Sequence, residues 1–288
     1  MANLKEIRNR IASVSSTMQI TSAMKMVSAA KLKKAQDAIT AMRPYADKLT
    51  ELIQNLSEAT NGGQNPFSEV RPVKTVLLVP ITSNRGLCGG FNANIIKATQ
   101  QLAQETYRDK TVKILSIGKK GSDLLSKKFE VVSTQDQLFD DLVFSNVGTV
   151  AQHIMDGYAA GTYDEVVLVY NQFKNAATQK VKHEAFLPLI TVKDAQTTSG
   201  TATDYIFEPS QEAILSELLP KSLKMQLFKA VRDSFASEHG ARMTAMHKAT
   251  DNATELRDQL KLTYNKARQA AITNEILEIV GGAEALNG

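Results

Sequence analysis

The sequence predicts an α/β domain inserted between two long terminal helices that form an antiparallel coiled coil. Three observations predict this fold. Apolar residues repeat at intervals of three and four near both chain ends, which is the heptad pattern of coiled coils. Between the ends, short apolar runs alternate with helical patterns, as in folds built on a parallel sheet. Two clusters rich in turn-forming residues, at 61–66 and 194–204, separate the three parts.

The first helix is predicted over residues 1–60, which contain one proline and no glycine. One face carries an apolar stripe at heptad spacing: Leu4, Ile7, Ile11, Val14 and Met18. From Ile20 to Lys34 the heptad loses its register, and Met, Ala and Ser are interleaved with lysines. Two interpretations stay open for this stretch: a coiled-coil stutter with a solvated basic face, or an adaptable surface that contacts a partner protein.

The last helix is predicted over residues 208–288, because no proline follows Pro220 and Gly240 is the only glycine before the end. A second heptad stripe runs along it: Met246, Ala249, Ala253, Leu256, Leu260, Thr263, Ala267 and Ala270. The two stripes can cover each other if the central domain returns the chain, so antiparallel pairing within one chain is favoured. Pairing of each helix with a copy of itself in a homodimer is the alternative.

The end of this helix is apolar on nearly all sides. Ile272, Ile276 and Ile279 share one face, whereas Val280 lies on another. A helix that is apolar around its circumference is normally buried on all sides, which a single partner helix cannot achieve. We therefore expect this tip to lie inside an apolar collar that other chains provide.

The central domain is predicted over residues 73–193, with linkers at 61–72 and 194–207. Five strands are expected, at 73–82, 111–118, 130–134, 164–173 and 179–192. Helices are expected between them, at 92–107, 120–129 and 146–163. This alternation predicts a Rossmann-like, mostly parallel sheet with helices on both faces, and the last two strands form a hairpin.

A glycine-rich loop, SNRGLCGGFN, follows the first predicted strand and precedes a helix, a setting that suits a phosphate site. The loop lacks the Lys and the hydroxyl of a P-loop, and it does not match the dinucleotide-binding pattern. Three interpretations remain: a nucleotide site, which these absences disfavour; a tight turn that needs positive φ at glycine; and an exposed loop in which Arg85 and Cys88 contact a partner protein.

Residues that could support catalysis or metal binding do not cluster in the sequence. The four histidines are scattered, and the single cysteine rules out an internal disulfide. We therefore predict no catalytic, metal or cofactor site. The start of the chain lacks the apolar region of a secretory signal, and no apolar run reaches the roughly 20 residues of a membrane span. A net charge of +4 is not a strong signal for nucleic-acid binding.

Five motifs, in order along the whole chain, resemble the γ subunit of bacterial F-type ATP synthases. The N-terminal helix carries KEIRNRIASV and ITSAMKMVSAAKLKKAQ, and the glycine loop reads NRGLCGG. The C-terminal helix carries ARMTAMHKATDNA and YNKARQAAITNEILEIVGGAEAL. Asn84 stands where Asp is common in this family, a departure that removes one negative charge. Chloroplast members carry an inserted segment with a regulatory cysteine pair, which this sequence lacks.

The resemblance implies a central rotor shaft, or central stalk, in a proton-translocating ATP synthase. It implies that the coiled coil enters a hexamer of α and β subunits, and that catalysis lies on the β subunits rather than on this chain. It further implies that the α/β domain contacts the ε subunit and the membrane c-ring. The chain is then a peripheral membrane protein on the cytoplasmic side of the bacterial inner membrane, with no nucleic-acid partner.

The resemblance also implies which residues contact the partners. Those that face the β and α subunits are Met24, Lys25, Arg242, Arg268, Gln269, Thr273 and Glu275. The loop residues Arg85, Gly86, Cys88 and Gly89 lie near the lower face of the hexamer. Two other hypotheses remain: a nucleotide-binding α/β enzyme with a coiled-coil dimerisation arm, and a basic coiled coil that binds nucleic acid or an anionic membrane.

Overall fold

The computed structural model describes residues 4–59, 66–176, 178–189 and 210–287, which fall into two compact units. One unit combines Met1–Ala29 with Arg242–Gly288, and the other is Ala30–Ala241. Of the predicted linkers, residues 61–65 and all of 194–207 lie outside the described residues.

Five α-helices and five β-strands make up the described fold. The helices are α1 (Leu4–Ala59), α2 (Phe91–Gln101), α3 (Lys119–Leu125), α4 (Phe144–Ala159) and α5 (Gln211–Asn287). The strands are β1 (Thr75–Pro80), β2 (Thr111–Ile117), β3 (Glu130–Gln135), β4 (Glu165–Phe173) and β5 (Gln179–Leu187). A π-helical turn, Leu102–Thr106, extends α2, and a short 3-10 turn, Gln137–Phe139, precedes α4.

The strands form one sheet in the order β3-β2-β1-β4-β5. The first four are parallel to one another, and β5 pairs antiparallel with β4. Strand β1 is apolar along its length, and both its faces are buried, as is usual for the centre of a parallel sheet. The predicted α/β class and the final hairpin are confirmed.

Helices cover both faces of the sheet, as predicted. Leu77 and Val79 of β1 belong to a core shared with α4 and with the first third of α5. Val76 and Leu78 alternate with them and pack on the opposite face, against α2 and α3. Residues of α5 as far as Ala241 belong to the same compact unit as the sheet.

The other unit is an antiparallel pair of helices within one chain. Arg8 donates a hydrogen bond to the hydroxyl of Tyr264 at 2.8 Å. Further along α1, Thr254 donates to the sulfur of Met18 at 3.3 Å. Residues later in α1 thus contact residues earlier in α5, so the two helices run antiparallel. This pairing confirms the predicted antiparallel coiled coil within one chain.

The predicted loss of heptad register in α1 does not occur. In this unit the stripe of three- and four-residue intervals continues through Thr21, Lys25 and Ser28, of which Thr21 and Ser28 are buried. Polar side chains are accommodated because the Thr21 and Ser28 hydroxyls bond carbonyl groups of their own helix, at 3.1 and 2.8 Å.

The stripe in α5 also differs from the prediction. Met246 and Ala253 are buried as expected, but Leu256 is 46% exposed. Thr250 and Tyr264, which hydrogen-bond to α1, extend the stripe instead. Hydrophobicity alone misplaced the stripe, because hydroxyl groups that reach the partner helix can replace apolar side chains in the contact.

Candidate functional site

The end of α5 continues beyond its partner helix. The Arg8–Tyr264 contact fixes the register, and extending it places Leu4, the first described residue of α1, opposite roughly residue 268. From residue 268 to 283 every described side chain is exposed. The large apolar side chains there are between 45% and 66% exposed: Ile272, Ile276, Leu277, Ile279 and Val280. The predicted tip is therefore an uncovered apolar helix in this chain.

Four polar residues predicted to contact partners lie at the base of the tip. Arg268, Gln269, Thr273 and Glu275 are all exposed. The Thr273 hydroxyl donates to the Gln269 carbonyl oxygen at 3.0 Å. Neither Arg268 nor Glu275 forms an ion pair with a described residue. Seven residues apart, these two charges share a helix face.

Met24 and Lys25 are half-buried on α1, whereas Arg242 is only 7% exposed. The structure therefore gives Arg242 little surface for a partner. Beside Met24, three apolar side chains are more than half exposed: Ile20, Met26 and Val27. All three lie within the stretch from Ile20 to Lys34 that the sequence analysis gave as a possible partner surface. The seven-residue interval from Ile20 to Val27 marks a second, outward apolar face.

The glycine loop presents a residue that the sequence analysis missed. Leu87 is 66% exposed and has a φ of 60°, a left-handed conformation that is rare for residues other than glycine. Cys88, in contrast, is 2% exposed. Arg85, Gly86 and Gly89 are exposed as expected. Leu87 rather than Cys88 is therefore the exposed apolar side chain of this loop.

The side chain of Asn92 holds the loop from inside. Its amide oxygen accepts a hydrogen bond from the Ser83 N–H at 2.9 Å, and its amide nitrogen contacts the Cys88 sulfur at 3.2 Å. The Ser83 hydroxyl donates to the Arg85 carbonyl oxygen at 2.7 Å. These contacts hold Leu87 in its strained conformation, and strain of this kind is common at binding sites.

Asn84 has a structural role in this loop. Its amide nitrogen donates to the Asp136 carbonyl oxygen at 2.7 Å, and its amide oxygen accepts from the Lys119 N–H at 3.0 Å. The side chain thereby connects the loop to the ends of β2 and β3. An ionised aspartate could accept the second bond but could not donate the first.

The nucleotide interpretation of the loop conflicts with the position of α5. Doubly wound sheets bind ligands in the crevice at the carboxyl ends of the strands, where the strand order reverses, here between β1 and β4. The buried Ser234 and Ser237 of α5 donate to the Ile81 and Asn171 carbonyl oxygens there, at 3.2 and 3.0 Å. Helix α5 thus occupies the crevice. Gly89 has a φ of 58°, which confirms the tight-turn interpretation.

Within residues 4–59, 66–176, 178–189 and 210–287, no group of three or more potential metal ligands lies together. Likewise, no helix in those ranges is both long enough and apolar enough to cross a membrane.

Known proteins match this chain over nearly its whole length. The profile of a family described as ATP synthase matches residues 3–286. The chain is 68% identical to the ATP synthase gamma chain of Flavobacterium psychrophilum over 290 residues, covering 100% of both sequences.

Two solved structures resemble the fold. One is a chain of the central stalk and c-ring of the Tetrahymena thermophila mitochondrial ATP synthase, at 31% identity and a TM-score of 0.63. That match covers 80% of this chain and 99% of the other. The second is a chain of the Euglena gracilis mitochondrial ATP synthase, at 24% identity and a TM-score of 0.73, with coverages of 98% and 94%.

Proposed function

The chain belongs to the family of ATP synthase gamma chains, and on this premise we propose that it is the central rotor shaft of a proton-translocating F-type ATP synthase. Rotation of a membrane c-ring turns the shaft. The turning shaft moves the catalytic β subunits through their conformations for ATP synthesis, or in reverse for hydrolysis. Catalysis lies on the β subunits, and this chain contributes no catalytic group. The match to a chain solved in a central stalk and c-ring assembly supports this role.

The observation that carries the proposal is the uncovered apolar tip. Burying a large apolar side chain stabilises a protein by about 1.5–3 kcal/mol. The five tip side chains that are 45–66% exposed in the chain alone therefore favour enclosure by other subunits. Apolar contacts have no fixed direction, so a collar of α and β subunits can hold the tip and still let it turn.

The polar contacts belong below the tip in this proposal. Arg268, Gln269, Thr273 and Glu275 contact the β and α subunits, together with Met24 and Lys25 of α1. The exposed loop residues Arg85, Gly86, Leu87 and Gly89 contact the lower face of the hexamer. Arg242 and Cys88 are buried in this chain, so they are not among these proposed contacts.

The remaining partners are the ε subunit and the c-ring, which the α/β domain of residues 73–193 contacts. Residues 1–60 and 208–288 serve as the shaft. The chain is then a peripheral protein on the cytoplasmic side of the bacterial inner membrane. Its place in a membrane-bound complex agrees with the names of its relatives.

A pull-down from the native host with a tagged copy of the chain tests this proposal. We expect a large complex with ATPase activity, whereas the purified chain alone neither binds nor hydrolyses ATP. A matched pair of variants locates the contact: Ile276→Asp places a charge on the tip, and Val70→Asp places one on an exposed apolar residue of the other compact unit. Recovery of ATPase activity should fall only with the tip variant. Recovery of the chain alone, with nucleotide bound to it, would overturn the proposal.

A further inference from the structure

Cations line the edge of the sheet at which β1, β2 and β3 begin. Lys74 and Lys110 each directly precede a strand, and Lys128 lies two residues before β3. The strand register pairs Thr75 with Thr111 and Lys113 with Glu130, which brings the three lysines to a similar level. Neighbouring strands are about 4.8 Å apart, so these positions span roughly 10 Å along the edge.

Two more cations lie in the same turns, and we call the five residues together the basic edge: Lys74, Arg108, Lys110, Lys127 and Lys128. All five are exposed, and none forms an ion pair with a described residue. Their positive charge is therefore available to an external anion.

The neighbouring carboxylates are mostly engaged elsewhere. Glu130 pairs with Lys113 at 3.3 Å. Asp164 accepts the backbone N–H groups of Lys74 and Thr75, both at 2.9 Å. Glu165 accepts the hydroxyl of Tyr107 at 2.6 Å. Asp109 is the acidic side chain within the turn itself. Asp164, Glu165 and Asp109 carry three negative charges against the five cations of the basic edge, so positive charge remains in excess.

Three backbone N–H groups of these turns are already used within the protein. The N–H of Lys110 donates to the Tyr107 carbonyl oxygen, that of Thr111 to Lys74, and that of Lys128 to Leu125, at 3.0, 2.9 and 3.0 Å. The basic edge therefore attracts an anion mainly through side-chain charge. Four of the five residues are lysines, whose ammonium groups are flexible, hydrated point charges rather than fixed forks. This composition suits a diffuse anionic surface.

We propose that the basic edge binds the headgroups of an anionic membrane surface. The inference rests on the proposed function for one point, that the chain works beside a membrane. Each Lys or Arg near such a surface raises membrane affinity about fivefold. The attraction decays within a Debye length of about 8 Å at physiological salt, so the contact is short-ranged and salt-sensitive. Lipids exchange in the plane of the membrane and therefore impose no fixed angle on a turning subunit.

The test measures binding of the purified full-length chain to vesicles. Vesicles of phosphatidylcholine with phosphatidylglycerol are compared with vesicles of phosphatidylcholine alone, by sedimentation at rising salt. The edge variant is Lys74→Gln, Lys110→Gln and Lys128→Gln together. The matched control neutralises three exposed lysines elsewhere in the same compact unit: Lys97→Gln, Lys174→Gln and Lys180→Gln. We expect the edge variant to lose more than about tenfold in affinity for anionic vesicles, and the control about twofold or less.

Equal losses in the two variants, or no loss in either, would overturn the proposal. If the edge variant binds vesicles normally but recovers less of the other subunits in the pull-down, the partner is an acidic protein and the lipid proposal is wrong. Failure of the rotor proposal would show separately in the pull-down. In that case neither the wild type, the edge variant nor the control would recover ATPase activity, whatever the result with vesicles.

Discussion

The hydroxyl oxygens of Thr21 in α1 and Thr250 in α5 lie 2.8 Å apart across the coiled coil. Each hydroxyl also lies within hydrogen-bonding distance of a carbonyl oxygen in its own helix. The Thr21 hydroxyl lies 3.1 Å from the carbonyl oxygen of Met18, and the Thr250 hydroxyl lies 2.8 Å from that of Met246. One hydroxyl donates across the pair while the other donates to its own helix, so both protons are used. A polar layer of this kind in an apolar seam fixes the axial register of two helices.

Removing both hydroxyls of this layer should cost less than the sum of the two single removals. Thr21→Val or Thr250→Val alone should lower the free energy of unfolding by about 1 kcal/mol, whereas the double variant should lose less than the sum because two apolar side chains then meet. Urea unfolding of the full chain measures all three variants. Thr17→Val is the control, because the exposed Thr17 hydroxyl bonds only Ser13 of its own helix. Strictly additive losses would show that the two hydroxyls are not coupled.

Leu87 should favour assembly with the other subunits while it lowers the stability of the chain. Leu87→Gly relieves the left-handed strain and should raise the free energy of unfolding by about 1 kcal/mol, while it removes an exposed contact side chain. Leu87→Ala removes the side chain but keeps the strain. Thermal unfolding and recovery of ATPase activity in the pull-down measure the two effects. Both variants should recover less activity, and only the glycine variant should be more stable; unchanged recovery in both would remove Leu87 from the interface.

The side chain at position 84 should need an amide donor at neutral pH. Asn84→Asp loses the donor to the Asp136 carbonyl oxygen and should lower the free energy of unfolding by about 1 kcal/mol at neutral pH. Part of this loss should be regained in acid, because a protonated carboxyl group can donate again. Asn84→Ala should lose stability equally at both pH values. A neutral-pH stability equal to that of the wild type would contradict this account of the residue.

Asp233 should make the sheet unit less stable as pH rises. This carboxyl group of α5 is 8% exposed. Burial, with a smaller contribution from Glu184, raises its pKa to about 6 despite the nearby cations Lys229, Arg43 and Lys182. The unfolded pKa is about 3.9. The folded state therefore binds the proton more tightly, and this contribution to stability is lost as pH rises from about 4 through 6.

Asp233→Asn should remove that dependence. At pH 8 the variant should be more stable than the wild type by about 1–3 kcal/mol, and at pH 4 the difference should nearly vanish. Urea unfolding at the two pH values measures it. Asp109→Asn, at an exposed turn, is the control and should change stability little at either pH. A destabilised variant at pH 8 would mean that the cations around Asp233 outweigh its burial.

Periodicity was enough to predict most of the fold. The apolar run of β1, and the alternation of strand and helix patterns that follows it, predict a parallel sheet. The heptads near both chain ends predict the coiled coil. Periodicity failed at Thr21 and Ser28, because a hydrophobicity pattern does not register that a hydroxyl can bond to its own helix while it is buried. The apparent loss of register came from that omission.

The site was less predictable, because it depends on contacts between distant segments. Ser234 and Ser237 read as ordinary polar residues of a helix, yet they bring α5 into the crevice of the sheet. The glycines of the loop predict a turn with positive φ at glycine. The same turn also places Leu87 in that conformation, which no local preference of leucine indicates.

Rotation of this chain inside its complex tests the central claim most directly. The complex is immobilised through its catalytic subunits, and a probe is attached to the chain by Lys180→Cys, an exposed site, whereas Cys88 is 2% exposed. Single probes are then followed while ATP is added. The rotor proposal predicts that every active complex turns its probe steadily in one direction. ATP hydrolysis at a normal rate with a stationary probe would contradict it.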